Sequence, residues 1–184
     1  MPIVALSFAG PIQQPASKCL RSVCSNAVNN GAKEIHILFS SSGGAVDEGF
    51  ALHNFLRALP VKLTMHCVGV VESIALVVFM AGEHRFCCSD STFLFHDFAW
   101  GLAGVTNLNR LQLLETYNAL EAYRIRSQEM LKTRASFTDE DFKTLQLYEK
   151  ASIYGADFAK EKGIVQEIKQ ASVPSGIPIH NIEF

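Results

Sequence analysis

The sequence predicts an α/β domain built on a mainly parallel sheet with helices on both sides, and three observations predict it. Short apolar runs alternate with segments of helical period through residues 2–82, in the order strand, helix, strand, helix, strand, helix. The second run, Glu34–Ser40, is apolar on both faces except near its ends, as expected for a parallel strand covered on two sides. Glycine- and serine-rich turns separate the runs, and such an alternation requires right-handed crossovers. At 184 residues the whole chain, 1–184, fits a single domain that buries roughly 70% of the surface its unfolded form exposes.

The elements follow in order. Residues 2–8 form an apolar strand that ends at Gly10-Pro11. Pro15 suits the first turn of a helix whose apolar positions Cys19, Leu20, Val23, Ala27 and Val28 recur at helical spacing until Asn30-Gly31 stops it. After the Glu34–Ser40 strand, the loop Ser40-Ser-Ser-Gly-Gly-Ala45 leads into a helix with Val46, Phe50, Leu52, Phe55 and Leu56 inward, ended by Pro60. Val61–Val68 is the third strand, and a tight turn is expected at Gly69. Next comes an apolar segment with a single serine, Ser73, beside a single charge, Glu72; it reads as a buried helix from about Ile74 to Met80, with Gly82 just past its end. Ser73 falls at the helix start, a position that serves either a cap or a nucleophile.

The second half departs from the alternation. His84–Cys88 and Thr92–His96 read as two short strands joined by Ser89-Asp-Ser91. A long helical pattern runs from about residue 106 to 134, with Leu108, Leu111, Leu114, Tyr117, Leu120 and Tyr123 on or near one face. At ~1.5 Å per residue it spans roughly 40 Å, more than a compact domain needs, so it is expected to project and to pack on another subunit, although a helix folding back along the sheet would show the same pattern. Thr138–Asp141 has capping-box spacing and starts a helix to about Leu147. Ala156–Lys162 is a short helix closed by Gly163, Ile164–Ile168 is the last expected strand, and residues 170–184 read as an extended tail, either a surface segment or a partner contact.

Composition excludes several functions. A net charge of -2 with scattered Lys and Arg gives no basic stripe, which argues against nucleic-acid binding. No apolar run reaches the roughly 20 residues of a membrane span, and the start has no basic segment, so neither a membrane nor a secretory signal is expected. The five cysteines, Cys19, Cys24, Cys67, Cys87 and Cys88, lack paired metal-ligand spacing and read as reduced core residues, consistent with a cytoplasmic protein without metal or cofactor.

Acyl transfer by a serine needs a hydroxyl, an imidazole that takes its proton, a group that fixes that imidazole, and N–H donors for the oxyanion. Ser73 and His96 both follow predicted strands and can converge on one edge of the sheet, and Gly43-Gly44 lies in the loop after another strand, where α/β sheets bind ligands. Each signal alone also has a structural explanation: a cap, a core histidine and a turn.

Four segments in order carry a resemblance. Ser40-Ser-Ser-Gly-Gly-Ala-Val-Asp-Glu-Gly-Phe-Ala-Leu52 resembles the Asn-Ser-Pro-Gly-Gly-Ser-Val segment and following residues of the Clp protease proteolytic subunit family. Gly69–Gly82 is similar to that family's Gly-Gln-Ala-Ala-Ser-Met-Gly-Ala-x-Leu-Leu-x-Ala-Gly, with both glycines and the serine in register. Arg85-Phe-Cys87, Ser91 and Leu94-Phe-His96 resemble its Arg-Phe-x-x-Pro-x-Ser-x-x-Met-Ile-His, and Gly155–Val165 resembles its closing motif.

The resemblance implies a crotonase-like (Clp protease) fold and a serine peptidase acting on peptides or unfolded protein. It implies Ser73 as nucleophile, His96 as general base, the N–H groups of Gly44 and Ile74 as oxyanion hole, and Gly43 and Ala45 as substrate-binding residues. The long helix matches the handle through which the family stacks two rings, here six or seven subunits each. The family's third triad member falls at Ala151, where no carboxylate stands, and Glu149 is the nearest replacement. Glu72 replaces a small residue, Ala75 a glycine and Ser42 a proline of the family pattern. The chain starts directly at the first strand, without the segment that forms axial pore loops, which leaves an ATP-driven unfoldase partner open. Two other readings stand beside the peptidase: a catalytically impaired structural or regulatory homologue, and a crotonase-clan enzyme that polarises an acyl-CoA thioester.

Overall fold

The structure, a computed structural model, describes residues 3–99, 101 and 107–182. Its strands are β1 (Ile3–Ala9), β2 (Glu34–Ser41), β3 (Lys62–Glu72), β4 (His84–Cys87), β5 (Thr92–Phe95), β6 (Ser152–Gly155), β7 (Glu167–Ile168) and β8 (Ile179–Asn181). The helices are α1 (Gln14–Asn29), α2 (Val46–Ala58), α3 (Ile74–Phe79), α4 (Arg110–Arg134), α5 (Asp139–Thr144) and α6 (Ala156–Glu161). One sheet runs in the path β6-β5-β3-β2-β1-β8, with β4 paired to β3 and β7 to β4. Its pairings are parallel except β5–β6.

The sheet forks at β3. Residues Thr64–Cys67 pair with β4, whereas Val70–Glu72 pair with β5, so one long strand has two neighbours in succession. The change of neighbour coincides with a bulge. Against β2 the register passes from Phe39↔Cys67 to Ser41↔Val71, leaving Val68, Gly69 and Val70 opposite Ser40 alone. The turn expected at Gly69 is therefore absent: glycine there serves the close approach of Ser40, whose Oγ would lie 2.7 Å from a Cβ at Gly69 and accepts the Val70 N–H at 3.2 Å. This bulge carries the end of β3 to β5 and fixes where Ser73 emerges.

Helix α3 is apolar all round, and each residue from Ile74 to Met80 is at most 1% exposed, as a helix enclosed on every side must be. Phe79 of α3 stands between Phe39 and Phe93, at ring-centroid distances of 6.2 and 6.0 Å, and Phe8 stacks on Phe39 at 5.3 Å. On its other side α2 comes so close that a Cβ at Gly49 would lie 2.2 Å from Ile74 Cγ1. The α3 position is thus set by aromatic packing beneath and backbone contact above.

Several expectations change. Strand β2 alternates between buried and half-buried residues instead of being covered equally on both faces. Its second face carries His36, stacked on His66 of β3 at 5.9 Å. The tail is not merely a surface segment: β8 adds to β1, Ile182 donates its N–H to Ser7 O at 2.9 Å, and the Ile182 side chain is 5% exposed. The expected Ile164–Ile168 strand shrinks to β7, α5 ends at Thr144, and β6 had no sequence signal because its four residues, Ser-Ile-Tyr-Gly, are too few to show a period. The long helix keeps its predicted end at Arg134 and starts at Arg110 behind an Asn109–Gln112 capping box; residues 102–106 lie outside the described residues. Among the described residues no helix is long and apolar enough to cross a membrane.

Arg85 ties the far ends of these elements together. Its guanidinium donates to Ile164 O (2.8 Å), Gly82 O (2.8 Å), Arg134 O (2.8 Å) and Gly163 O (3.2 Å), and it is 5% exposed. Burial, with Arg134 and Arg57 nearby, lowers its pKa to about 10, so it keeps its charge at neutral pH. Arg85→Ala removes the guanidinium donor from the Ile164, Arg134 and Gly163 carbonyls, while Gly82 O keeps its bond from Arg134 (2.7 Å), and is expected to cost about 3 kcal/mol, read as a lower urea midpoint.

Candidate active site

Ser73 occupies the junction of β3 and α3 with φ 55° and ψ -130°, a left-handed conformation rare for a residue with a side chain. An N-cap serine adopts extended backbone and bonds a helix N–H with its hydroxyl; Ser73 does neither, since no cap hydrogen bond is formed. The tight turn is held from outside. Ser73 N–H donates to Leu94 O of β5 at 3.0 Å, and Leu76 N–H donates to Ser73 O at 3.0 Å. A strained serine on a strand-to-helix turn, its hydroxyl free of the backbone, is the geometry of a nucleophile elbow.

The Gly43-Gly44 loop lies against this elbow. A Cβ at Gly43 (φ 86°) would come within 2.9 Å of both Glu72 O and Ser73 Cβ. Gly44 (φ 147°) approaches Ile12 so closely that a Cβ would lie 2.2 Å from Ile12 O. Ile12 clamps the loop on both flanks: its N–H donates to Gly43 O and its C=O accepts the Ala45 N–H, each at 2.7 Å. Gly43 N–H donates to Ser41 Oγ at 3.2 Å, and Ala45 O accepts the Gly49 N–H at 3.0 Å. The backbone groups of Gly43 and of Ala45 are thus spent on holding the loop. Among the described residues the Gly44 N–H has no acceptor, and the N–H of Ile74, first in α3, belongs to the set a helix start leaves without one. Gly44→Ala must break the Ile12 clamp, and we expect a loss of about 3 kcal/mol or more by chemical denaturation.

His96 follows β5 directly. Phe93 and Phe95 point into the core at 0% exposure, so alternation places His96 with Leu94 on the opposite face. Its Nδ1 lies 2.6 Å from Asp97 O. A carbonyl only accepts, so Nδ1 carries the proton and Nε2 is left as the acceptor, the tautomer a general base for Ser73 needs. No hydrogen bond joins Ser73 and His96, and among the described residues none joins His96 to a carboxylate.

The β5–β6 register accounts for that last fact. Phe95–Ser152 is the last pair of that ladder, and the same register carried one residue further places Ala151, not Glu149, next in line with His96. Glu149 is exposed and lines a hollow with Arg124, Gln128, Asp139 and Lys143, beside Tyr148, whose hydroxyl is buried against Ser127 Oγ at 2.5 Å. The structure does not bring Glu149 to His96. What orients the ring instead is the Asp97 carbonyl, which sequence reasoning missed because a backbone acceptor leaves no residue-type signature.

The remaining nucleophiles stand apart from this chemistry. All five cysteines are free, and burial raises the Cys24 and Cys87 pKa to about 12, so neither is ionised at neutral pH. Among the described residues no group of three or more His, Cys, Asp or Glu side chains could hold a metal ion.

Comparison with known proteins decides the family. The Clp protease family model matches residues 6–172. The chain belongs to the Clp protease family. It is 27% identical over 149 residues to the ATP-dependent Clp protease proteolytic subunit 1 of Rhodopirellula baltica, covering 76% of this chain and 60% of that protein. It is also 27% identical over 168 residues to a proteolytic subunit 3 of Rhizobium etli, covering 86% of this chain and 80% of that one. A mutant of ClpP1 from Listeria monocytogenes superposes with a TM-score of 0.79 over 91% of each chain at 18% identity, which establishes the Clp protease fold. Membership in the Clp protease family supports a serine peptidase as the class of the protein.

Proposed function

We propose that the protein hydrolyses peptide bonds by a Ser73–His96 acyl-enzyme mechanism. The observation that carries the proposal is the Ser73 backbone: a φ of 55° without a cap bond has no stabilising purpose, and such strain is retained where the side chain is used. Ser73 Oγ attacks the substrate carbonyl as His96 Nε2 takes its proton. The carbonyl oxygen becomes an oxyanion that accepts hydrogen bonds from the N–H groups of Gly44 and Ile74. The imidazolium then returns its proton to the leaving amine, and water repeats the sequence to release the acid and regenerate the serine. Asp97 O holds His96 in the correct tautomer but, being neutral, stabilises the imidazolium less than a carboxylate would. Turnover is accordingly slow.

For assembly we propose a homo-oligomer of stacked rings. Leu111, Leu113, Leu114 and Tyr117 of α4 are 47–63% exposed, an apolar stretch that a single chain leaves in water. A second functional reading, a catalytically impaired subunit of such a ring, is favoured by Ala151 next in line with His96.

A fluorophosphonate probe tests the main reading. Labelling of the folded wild-type protein, lost in a His96→Ala variant by at least about a hundredfold in rate, is the expected result. Absence of labelling in the folded wild type would leave the impaired-subunit reading.

A further inference from the structure

The face of the sheet that carries His96 also carries a row of side chains with no assigned role. Glu72 of β3 pairs with Leu94 of β5, and Leu94 pairs with Ile153 of β6, so the three lie side by side across adjacent strands. Their sequence neighbours Val71 and Phe93 are at 0% exposure in the core, which puts the row on the opposite face, together with His96. Strands stand ~4.8 Å apart and residues two apart along a strand ~6.8 Å, so the row lies one step from His96, two residues beyond Leu94.

The row is chemically mixed. Ile153 is 67% exposed, Leu94 is half-buried, and Glu72 is half-buried and makes no ion pair or hydrogen bond among the described residues. A carboxylate left unpaired beside an apolar footing suits a partner that is long and apolar with a cationic end. Lysine and arginine have that form: the methylene stem lies on apolar surface while the charged head reaches a carboxylate.

We propose that Glu72, Leu94 and Ile153 form a substrate subsite for a lysine or arginine side chain. The stem covers Leu94 and Ile153, and the cation meets Glu72. An acidic side chain at that position is disfavoured by the same charge. The inference rests on a peptide lying across this face, as the proposed peptidase reading requires, but it concerns recognition and not bond cleavage.

The test uses the full-length Ser73→Ala protein, in which binding is read without turnover, and fluorescein-labelled peptides otherwise identical in which one lysine, norleucine or glutamate is moved through successive positions. Fluorescence anisotropy is expected to find one position where lysine binds about five- to tenfold more tightly than norleucine, and glutamate more weakly than either. Glu72→Gln in the same background removes the lysine advantage, Glu72→Lys transfers it to glutamate, and added salt shrinks it. No lysine advantage at any position, no binding of any peptide, or an advantage that survives Glu72→Gln would each overturn the proposal. Fluorophosphonate labelling of the wild type is scored separately: lysine selectivity without labelling would retain the subsite and reject the peptidase.

Discussion

Ser73→Ala is expected to lower peptide hydrolysis by at least about a thousandfold while moving the melting temperature by less than about 2 °C. The two halves of this result discriminate together. If Ser73 were a helix cap, alanine would cost about 0.5–2 kcal/mol, and activity would follow stability. The hydroxyl makes no cap bond, so its removal takes nothing from the helix. Ser73→Gly separates the roles further. Glycine adopts φ 55° without steric cost, so this variant is expected to gain about 1 kcal/mol, a rise of about 2–4 °C in a chain of this size, and to be as inactive as alanine. A fluorogenic peptide assay beside a thermal melt reads both. Destabilisation by alanine with activity retained would return Ser73 to the role of a cap.

Ala151→Asp is expected to raise kcat by about a hundredfold or more. Carried one residue beyond its last pair, Phe95–Ser152, the antiparallel register puts residue 151 across from His96, where Cβ atoms at paired spacing stand ~5 Å apart and a short carboxylate can reach the ring. At present the Nδ1 proton goes to the neutral Asp97 carbonyl. A carboxylate would hold the same tautomer and also stabilise the imidazolium that forms during attack, an effect worth up to about 10⁴ in rate where it has been removed from a complete triad. Ala151→Asn, which can bond without charge, should give much less. Glu149→Ala is expected to leave the rate within about twofold, since Glu149 lines a different hollow. An unchanged rate in folded Ala151→Asp would show that the ring is already fully served by Asp97.

The sequence made much of this arrangement legible, for physical reasons that can be named. The buried helix after Ser73 could be read because seven successive apolar residues, Ile74 to Met80, admit few other environments. The two glycines after β2 could be placed in a ligand-facing loop because turn glycines at the end of a parallel strand have few other purposes. The bulge at Gly69 could not be read: a glycine in a strand and a glycine in a turn look alike until the partner strand is known. Strand β8 was hidden for a similar reason, since its pairing with β1 joins residues far apart in the chain and its own side chains are exposed. The vacancy at Ala151 was visible by counting, but the Asp97 carbonyl was not. Likewise Glu72 stood out as an unexpected charge, yet only the register of three strands gave it neighbours.

The Ile12 clamp has a consequence for the order in which the chain matures. Ile12, Gly43, Gly44 and Ala45 all lie within the first quarter of the chain, and their hydrogen bonds need only β1 and β2 to have met. Ser73 comes next, but its N–H is held by Leu94, and His96 follows only two residues after that. During synthesis from the N-terminus, when early segments fold before late ones have emerged, the Ile12 clamp can close first, and the Ser73 turn and His96 are placed together once β5 docks. Ala151 arrives more than fifty residues later, immediately before the edge strand β6. A nascent chain therefore has Ser73 without its Leu94 hydrogen bond and lacks His96 until more than half of the protein has been made.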